Sequence, residues 1–304
     1  MILRDKPSFV QLVFALRGSI VPAIAPQVLG LMLFAALVVW AHGHFPGFPD
    51  IDTTPFTVFG IALSLFLGFR NNAAYDRWWE ARKLWGGLLA DLRSFARETD
   101  LFLAGAEDRP RLLRLALAFV HLHRARLRRL PDDPTAQAAA KRAGLTAGSA
   151  GGPALPAPCM ALDTIAAVLA QARTAGALDG FGARTLAERL NSITLAQAGA
   201  ERIARTPLPY VYSLLIYRTS YLYCLLLPLA LVTSSGWLAP FFVGIVAYVF
   251  LGLAEVTEDL AHPFGNTPNA LPLDAICRTA EISLAPHLGE APPAPLAPVD
   301  YYLS

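Results

Sequence analysis

Side chains able to do chemistry are few and scattered along this chain. Histidines stand at positions 42, 44, 121, 123, 262 and 287. His121 and His123 are two apart, so on a helix they face different ways and cannot share a ligand. His42 and His44 close an apolar run, where histidines at a membrane interface explain them better than a metal site. Cys159, Cys224 and Cys277 are far apart and odd in number. They make neither a disulfide framework nor a zinc cluster, and each reads as a small buried hydrophobe. There is no G-x-S-x-G, no H-E-x-x-H and no Walker loop. The acidic pairs Glu107-Asp108 and Asp132-Asp133 read as helix caps and solvated turns. The sequence points away from an enzyme, and it gives no ground for a cofactor or a resident metal.

One short segment offers a different chemistry, the control of water. It reads Gly60-Ile61-Ala62-Leu63-Ser64-Leu65-Phe66-Leu67-Gly68-Phe69. Gly60, Ser64 and Gly68 are four apart and form a ridge of small residues, which lets helices approach closely in lipid. Ile61, Leu65 and Phe69 form the adjacent ridge at the same spacing. On a helix they stack as layers roughly 6 Å apart. Several copies of such a helix around one axis would make three apolar rings. A narrow apolar ring sheds water and blocks ions, and a slight widening rewets it, so it works as a gate. The simpler alternative packs the same three residues against other helices of the same chain.

Membrane-spanning elements must position that segment. The chain of 304 residues is 55% hydrophobic and only 16% charged, which disfavours both a plain cytosolic enzyme and disorder. A net charge of +2 supplies no basic field for nucleic acid. Gly18 to Pro49, Thr53 to Phe69 and Thr219 to Ala254 contain no Asp, Glu, Lys or Arg. A spanning helix needs about 20 apolar residues. With the apolar stretch Leu208 to Tyr217, these runs predict four spans at about 20–42, 55–72, 208–233 and 237–255, the last two parted at Thr233-Ser234-Ser235-Gly236. Arg218, Glu255, Glu258 and Asp259 are the charges in or beside the last two spans, and an ion pair within the chain is expected for Arg218. No internal repeat is visible, which weighs against a transporter built from inverted halves.

Lys and Arg set the expected topology. Arg4, Lys6 and Arg17 precede the first span, twenty more lie between Arg70 and Arg205, and none lies in His42–Thr54 or Thr233–Leu238. This bias puts both termini and the middle region in the cytoplasm. The middle region reads as helices over Tyr75–Leu103, Pro110–Leu130, Asp163–Thr174 and Ala183–Ile203, with a Gly/Ala/Pro loop at Ala143–Pro158. The basic run Arg124 to Arg129 reads as a solvated face beside the membrane or, more sharply, as a contact with acidic lipid. Leu284 to Ser304 is rich in proline and expected to be extended.

Four motifs then carry a family resemblance. Phe69-Arg70-Asn71-Asn72-Ala73-Ala74-Tyr75-Asp76-Arg77-Trp78-Trp79-Glu80 resembles the segment after the pore helix in bestrophins, above all the bacterial ones. Arg17-Gly18-Ser19-Ile20 resembles their R-G-S-I, Ser64 to Phe69 their S-F-x-L-G-F, and His262-Pro263-Phe264-Gly265 their N-P-F-G. The motifs follow the family's order and cover nearly the whole chain. The resemblance implies an all-α membrane protein with four transmembrane helices per subunit, continuing into a cytosolic helical bundle, and a homopentamer around one central pore. It divides the chain into a cytosolic segment 1–19, spans 1 and 2 in 20–72 with the second lining the pore, a cytosolic region 73–206, spans 3 and 4 in 207–256, and a cytosolic tail 257–304. It places a neck of three hydrophobic rings on Ile61, Leu65 and Phe69, with Leu65 where animal members carry Phe, and a second, cytosolic aperture near Phe181.

Two departures qualify that picture. Animal members clasp calcium with an acidic run after N-P-F-G, but here Asn266-Thr267-Pro268-Asn269-Ala270 carries no carboxylate before Asp274. Calcium needs six to eight oxygens, so calcium gating is not expected. Animal members conduct chloride, whereas bacterial relatives pass monovalent cations; Asp50 and Asp52 near the outer mouth would mildly favour cations. The expectation is thus a passive channel for small monovalent ions in the bacterial inner membrane, in contact with lipid and with copies of itself. The alternatives are a non-conducting scaffold whose cytosolic bundle binds a partner, and a coupled transporter, which should need a mid-membrane carboxylate that these runs lack.

Overall fold

The computed structural model describes residues 1, 2, 9, 15, 18–48, 51–103, 107–146 and 155–304. Arg4, Lys6, Arg17 and Asp50, and residues 147–154 of the expected loop, lie outside them. The described chain is helical, with no strand and only isolated bridges at Ile2–Tyr302 and Val299–Tyr302. The helices are α1 (Val21–His44), α2 (Thr54–Phe102), α3 (Arg109–Leu127), α4 (Pro134–Arg142), α5 (Pro158–Thr174), α6 (Gly180–Arg205), α7 (Tyr210–Ser235), α8 (Ala239–Ala261) and α9 (Leu273–Leu288). Two stretches, Val21–His44 and Tyr210–Ala261, are long and apolar enough to cross a membrane; the second holds α7, a short 3-10 turn at Gly236–Leu238, and α8. The apolar start of α2 is not among them, because Arg70-Asn71-Asn72 follows within the length a span needs.

The chain forms two compact units. One contains α1, the start of α2 as far as Trp78, α7 and α8. Here α1 packs on both α7 and α8, around Ile24, Leu31, Leu63, Leu67, Cys224, Val243 and Leu251. Small residues permit the close approach: a Cβ on Gly244 would come within 2.7 Å of the Met32 sulfur. The outward faces are apolar too. Leu33, Leu37, Trp237, Phe241 and Val249 are all exposed, which in water would be an aggregation liability and in lipid is the expected surface.

The other unit is built on Trp79–Thr206 and Pro263–Ser304. Its centre is α3, which packs against α4, α5, α6 and α9 and is buried along most of its length. Trp85, Leu88, Leu92 and Phe95 of α2 line this core at helical spacing. Arg189 on α6 ties to α2, its Nη1 donating to Asp91 at 2.6 Å and its Nη2 to Glu98 at 2.7 Å. The chain ends meet in this unit. Ile2 N–H donates to Pro268 C=O at 3.0 Å, and Leu303 N–H donates to Met1 C=O at 2.9 Å.

Three expectations need correction here. The run Arg124 to Arg129 is neither a solvated face nor a lipid contact throughout. Arg124 is buried and pairs with Asp133 at 2.5 Å and Asp274 at 2.7 Å, while Arg128 pairs with Asp274 at 2.6 Å; only Arg126 and Arg129 of the four face outward. Next, the tail is not extended from Leu284, because α9 runs on to Leu288. Pro286 sits in the last turn, and Gly289 then ends the helix in the left-handed region at φ 71°. Last, of the two acidic pairs, Asp133 caps α4 by accepting from Ala136 N–H at 2.7 Å, but Asp108 makes no side-chain cap.

His123 shows what this core does to a titratable group. Its ring lies 5.5 Å from Trp85 and 5.6 Å from Phe119, stacked on both, and neither ring nitrogen has a hydrogen-bond partner. Burial drives its pKa down to about 4, against a small opposing pull from Glu201. A depressed histidine pKa means that the unfolded chain takes up a proton between about pH 6.5 and 4 while the folded chain does not. Its contribution to stability is therefore complete above about pH 6.5 and falls by up to roughly 3 kcal/mol as the pH drops to 4. Melting followed across pH 7 to 4 should lose much of that slope in His123→Phe; an undiminished slope would place the acid sensitivity on another group.

Candidate permeation surface

Asp52 starts the helix that carries the apolar segment. Its Oδ1 accepts from the Thr54 N–H and the Thr54 hydroxyl, both at 2.9 Å, and those bonds hold its carboxyl below the usual range. Pro55 in the first turn fixes a helical φ at no cost in hydrogen bonds. From there α2 has two unlike sides. Leu63, Leu67 and Ala74 are buried against the rest of their unit. Ile61, Leu65 and Phe69 are 66%, 58% and 62% exposed, on one stripe of the opposite side. None of these three packs into the core formed with α1, α7 and α8.

The ridge of small residues splits into two kinds. Gly60 is close-packed within the chain, since a Cβ there would lie 2.7 Å from the Tyr223 hydroxyl of α7. Ser64 bonds its own helix, donating to Gly60 C=O at 2.8 Å, and remains exposed. Nothing lies within 4 Å of where a Gly68 Cβ would be. Gly60 thus already has an in-chain contact, and Ser64 and Gly68 present an uncovered small-residue surface.

Directly after the stripe, Arg70 turns inward. Its side chain is 4% exposed, and Nη2 donates to Glu258 Oε2 at 2.6 Å and to Ser213 Oγ at 2.7 Å. Arg77 Nε donates to the Ala261 carbonyl at 2.8 Å, and Glu255 accepts from the Tyr217 hydroxyl at 3.1 Å. The Arg70 and Arg77 contacts pin the polar end of the α2 stripe to the last turns of α8, and the Tyr217 contact ties α8 to α7. The expected ion pair for Arg218 does not form: Arg218 is exposed and has no ion pair among the described residues, and Arg70 holds Glu258 instead. Sequence reasoning missed this cluster, although the signal was present in an arginine abutting an apolar run and a glutamate at the end of another.

Phe181 belongs to the other unit, at the start of α6, where Asp179 caps the helix by accepting from Gly182 N–H at 2.6 Å. It is 83% exposed. The His44 ring stacks on Trp40 and its Nδ1 donates to the Trp40 carbonyl at 2.8 Å, and no group of metal-ligating side chains occurs among the described residues.

Comparison with known proteins gives this surface a context. A family model described as Bacterial/Fungal Bestrophin protein matches residues 1–286. The voltage-dependent anion channel-forming protein mll4386 of Mesorhizobium japonicum is 45% identical over 100% of this chain and 97% of its own length. The voltage-dependent anion channel-forming protein YneE of Escherichia coli K12 is 36% identical over 99% of both chains. The crystal structure of a bacterial bestrophin homologue from Klebsiella pneumoniae superimposes with a TM-score of 0.78 at 31% identity, covering 88% of this chain and 100% of that one.

Proposed function

Since the chain belongs to the bestrophin family, we propose that it is a passive channel for small monovalent ions, closed by an apolar neck. The single observation that carries the reading is the exposure of Ile61, Leu65 and Phe69 on one stripe of α2, uncovered by the chain that bears them. Large apolar side chains left open in this way face lipid, a neighbouring helix or a dewetted pore, and the adjoining small residues Ser64 and Gly68 favour neighbouring copies around a pore. Five copies encircle a common axis, each α2 turning its stripe inward, so that three rings stack along the pore. Ser64 and Gly68 let adjacent α2 helices approach. Phe181 lines a second constriction on the cytoplasmic side.

Each subunit crosses the bacterial inner membrane four times, through α1, the first part of α2, α7 and α8, with both termini cytoplasmic. The segments 20–72 and 207–256 are the membrane part; 1–19, 73–206 and 257–304 are cytosolic. On ion sign, the names of the relatives favour anions over the cation preference that Asp50 and Asp52 suggested.

Purified protein in a planar bilayer provides the test. A tenfold salt gradient should give a reversal potential displaced toward the anion limit, which is about 59 mV at perfect selectivity. Displacement to the cation side would reverse the assignment of sign. Absence of any current above bare lipid, at all voltages, would remove the channel reading altogether.

A further inference from the structure

A second site lies in the unit built around α3, which does not contain the α2 stripe. A cavity of about 290 Å³ opens between α3, α4, α9 and the residues just after α9. Arg114, Arg142 and Arg278 reach it from three different helices, together with His121, Glu281 and Glu290. Three guanidiniums meet two carboxylates, so the site carries an excess of positive charge before His121 is counted.

The carboxylates do not use up the arginines equally. Arg278 Nη1 is held by Glu281 at 3.0 Å. Arg114 meets Glu290 at 3.4 Å, with both side chains about half exposed, a pair worth little in water and readily exchanged for a stronger anion. Arg142 has no ion pair among the described residues; its Nε makes only a long contact of 3.4 Å to Ala138 C=O. Even so its charge reaches inward. Burial acts to raise the Glu281 carboxyl, yet the His121 hydrogen bond and the charges of His121, Arg278 and Arg142 hold it below the usual range.

His121 supplies an independent sign of a missing partner. Its side chain is 4% exposed and forms part of the cavity wall. Nε2 donates to Glu281 Oε1 at 2.8 Å, and Nδ1 is left buried with no hydrogen-bond partner. A buried ring nitrogen without a partner is costly, and a ligand able to offer or accept a proton there would offset that cost. Apart from Thr135, the rest of the wall is apolar and includes Leu117, Ala285 and Leu288. The size sits at the lower end of small-molecule sites.

We propose that this cavity binds a compact organic phosphate, its phosphoryl oxygens taken by Arg142, Arg114 and Arg278 and its organic body lying on the apolar wall. Arginine suits this task because its planar fork matches phosphate geometry. The test uses the purified full chain in detergent and two probes, AMP and inorganic tripolyphosphate, titrated by calorimetry. AMP should bind saturably with a Kd below about 1 mM. Arg142→Ala and Arg278→Ala should each weaken it about tenfold. Arg184→Ala, at an exposed pair with Glu188 on α6, should leave it unchanged. Failure of AMP to saturate, binding of tripolyphosphate alone, or equal affinity in Arg142→Ala, Arg278→Ala and wild type would each overturn the assignment.

Discussion

Leu65→Ala should raise the current through the protein about tenfold, by lowering the barrier at the middle of the neck by about 1.4 kcal/mol. Leu65 stands one turn from Ile61 and one from Phe69 on the exposed stripe of α2. In the proposed ring its isobutyl group, repeated around the axis, narrows the pore and keeps it dry. Alanine removes three carbons from every copy at once, and the wider ring holds water at lower cost. Because Leu65 contributes nothing to the in-chain core, the substitution should leave folding and assembly nearly unchanged. Single-channel recording in planar bilayers checks both amplitude and open probability. The informative control is Leu67→Ala on the buried side of the same helix, 1% exposed, which should lower melting temperature without enlarging conductance. A current unaltered in Leu65→Ala would refute the neck.

The second large effect belongs to stability. Asp274→Ala should cost about 3–5 kcal/mol, because it strips the partner from Arg128 and one of two partners from Arg124 inside the folded unit. Both guanidiniums are nearly buried, at 6% and 7% exposure, so neither can turn to water for compensation. Asp133→Ala should cost less: Arg124 keeps Asp274, and the helix cap it also provides is worth about 1 kcal/mol. The pH dependence separates this cluster from His123. Burial acts to raise the Asp274 carboxyl, but the Arg128 and Arg124 charges and hydrogen bonds from Arg128 and Ser304 outweigh it and hold the carboxyl below its ordinary value. A depressed carboxyl stabilises the fold above its unfolded pKa and stops doing so as the pH falls through the folded one. Its loss thus belongs below about pH 4, whereas that of His123 spans about pH 6.5 to 4. Acid melting of Asp274→Asn and His123→Phe should each flatten only its own window.

The reasons why some of this was legible in the sequence, and some not, are physical. Helices α1, α7 and α8 announce themselves by length and lack of charge, since lipid leaves no other arrangement for so long an apolar run. The stripe of Ile61, Leu65 and Phe69 follows from spacing alone, but its exposure does not; Leu63 and Leu67 are equally apolar and lie on the buried side. Arg124 and Arg128 are four apart and so share a face, yet nothing local says that the face is inward, because their partner Asp274 lies 146 residues from Arg128. The apolar positions Leu273, Cys277, Ala280 and Leu284 do carry a helical period, and the prolines that follow mask it. The acidic partner expected for Arg218 falls to Arg70, a choice made by packing that the order of the charges along the chain does not show.

The meeting of the chain ends has a topological consequence. Ile2 bonds to Pro268, and Leu303 to Met1, so the two termini are fastened side by side. Ends that touch cannot be separated by a bilayer. In the proposed membrane arrangement this pairs each crossing with a return, a constraint that owes nothing to the lysines and arginines.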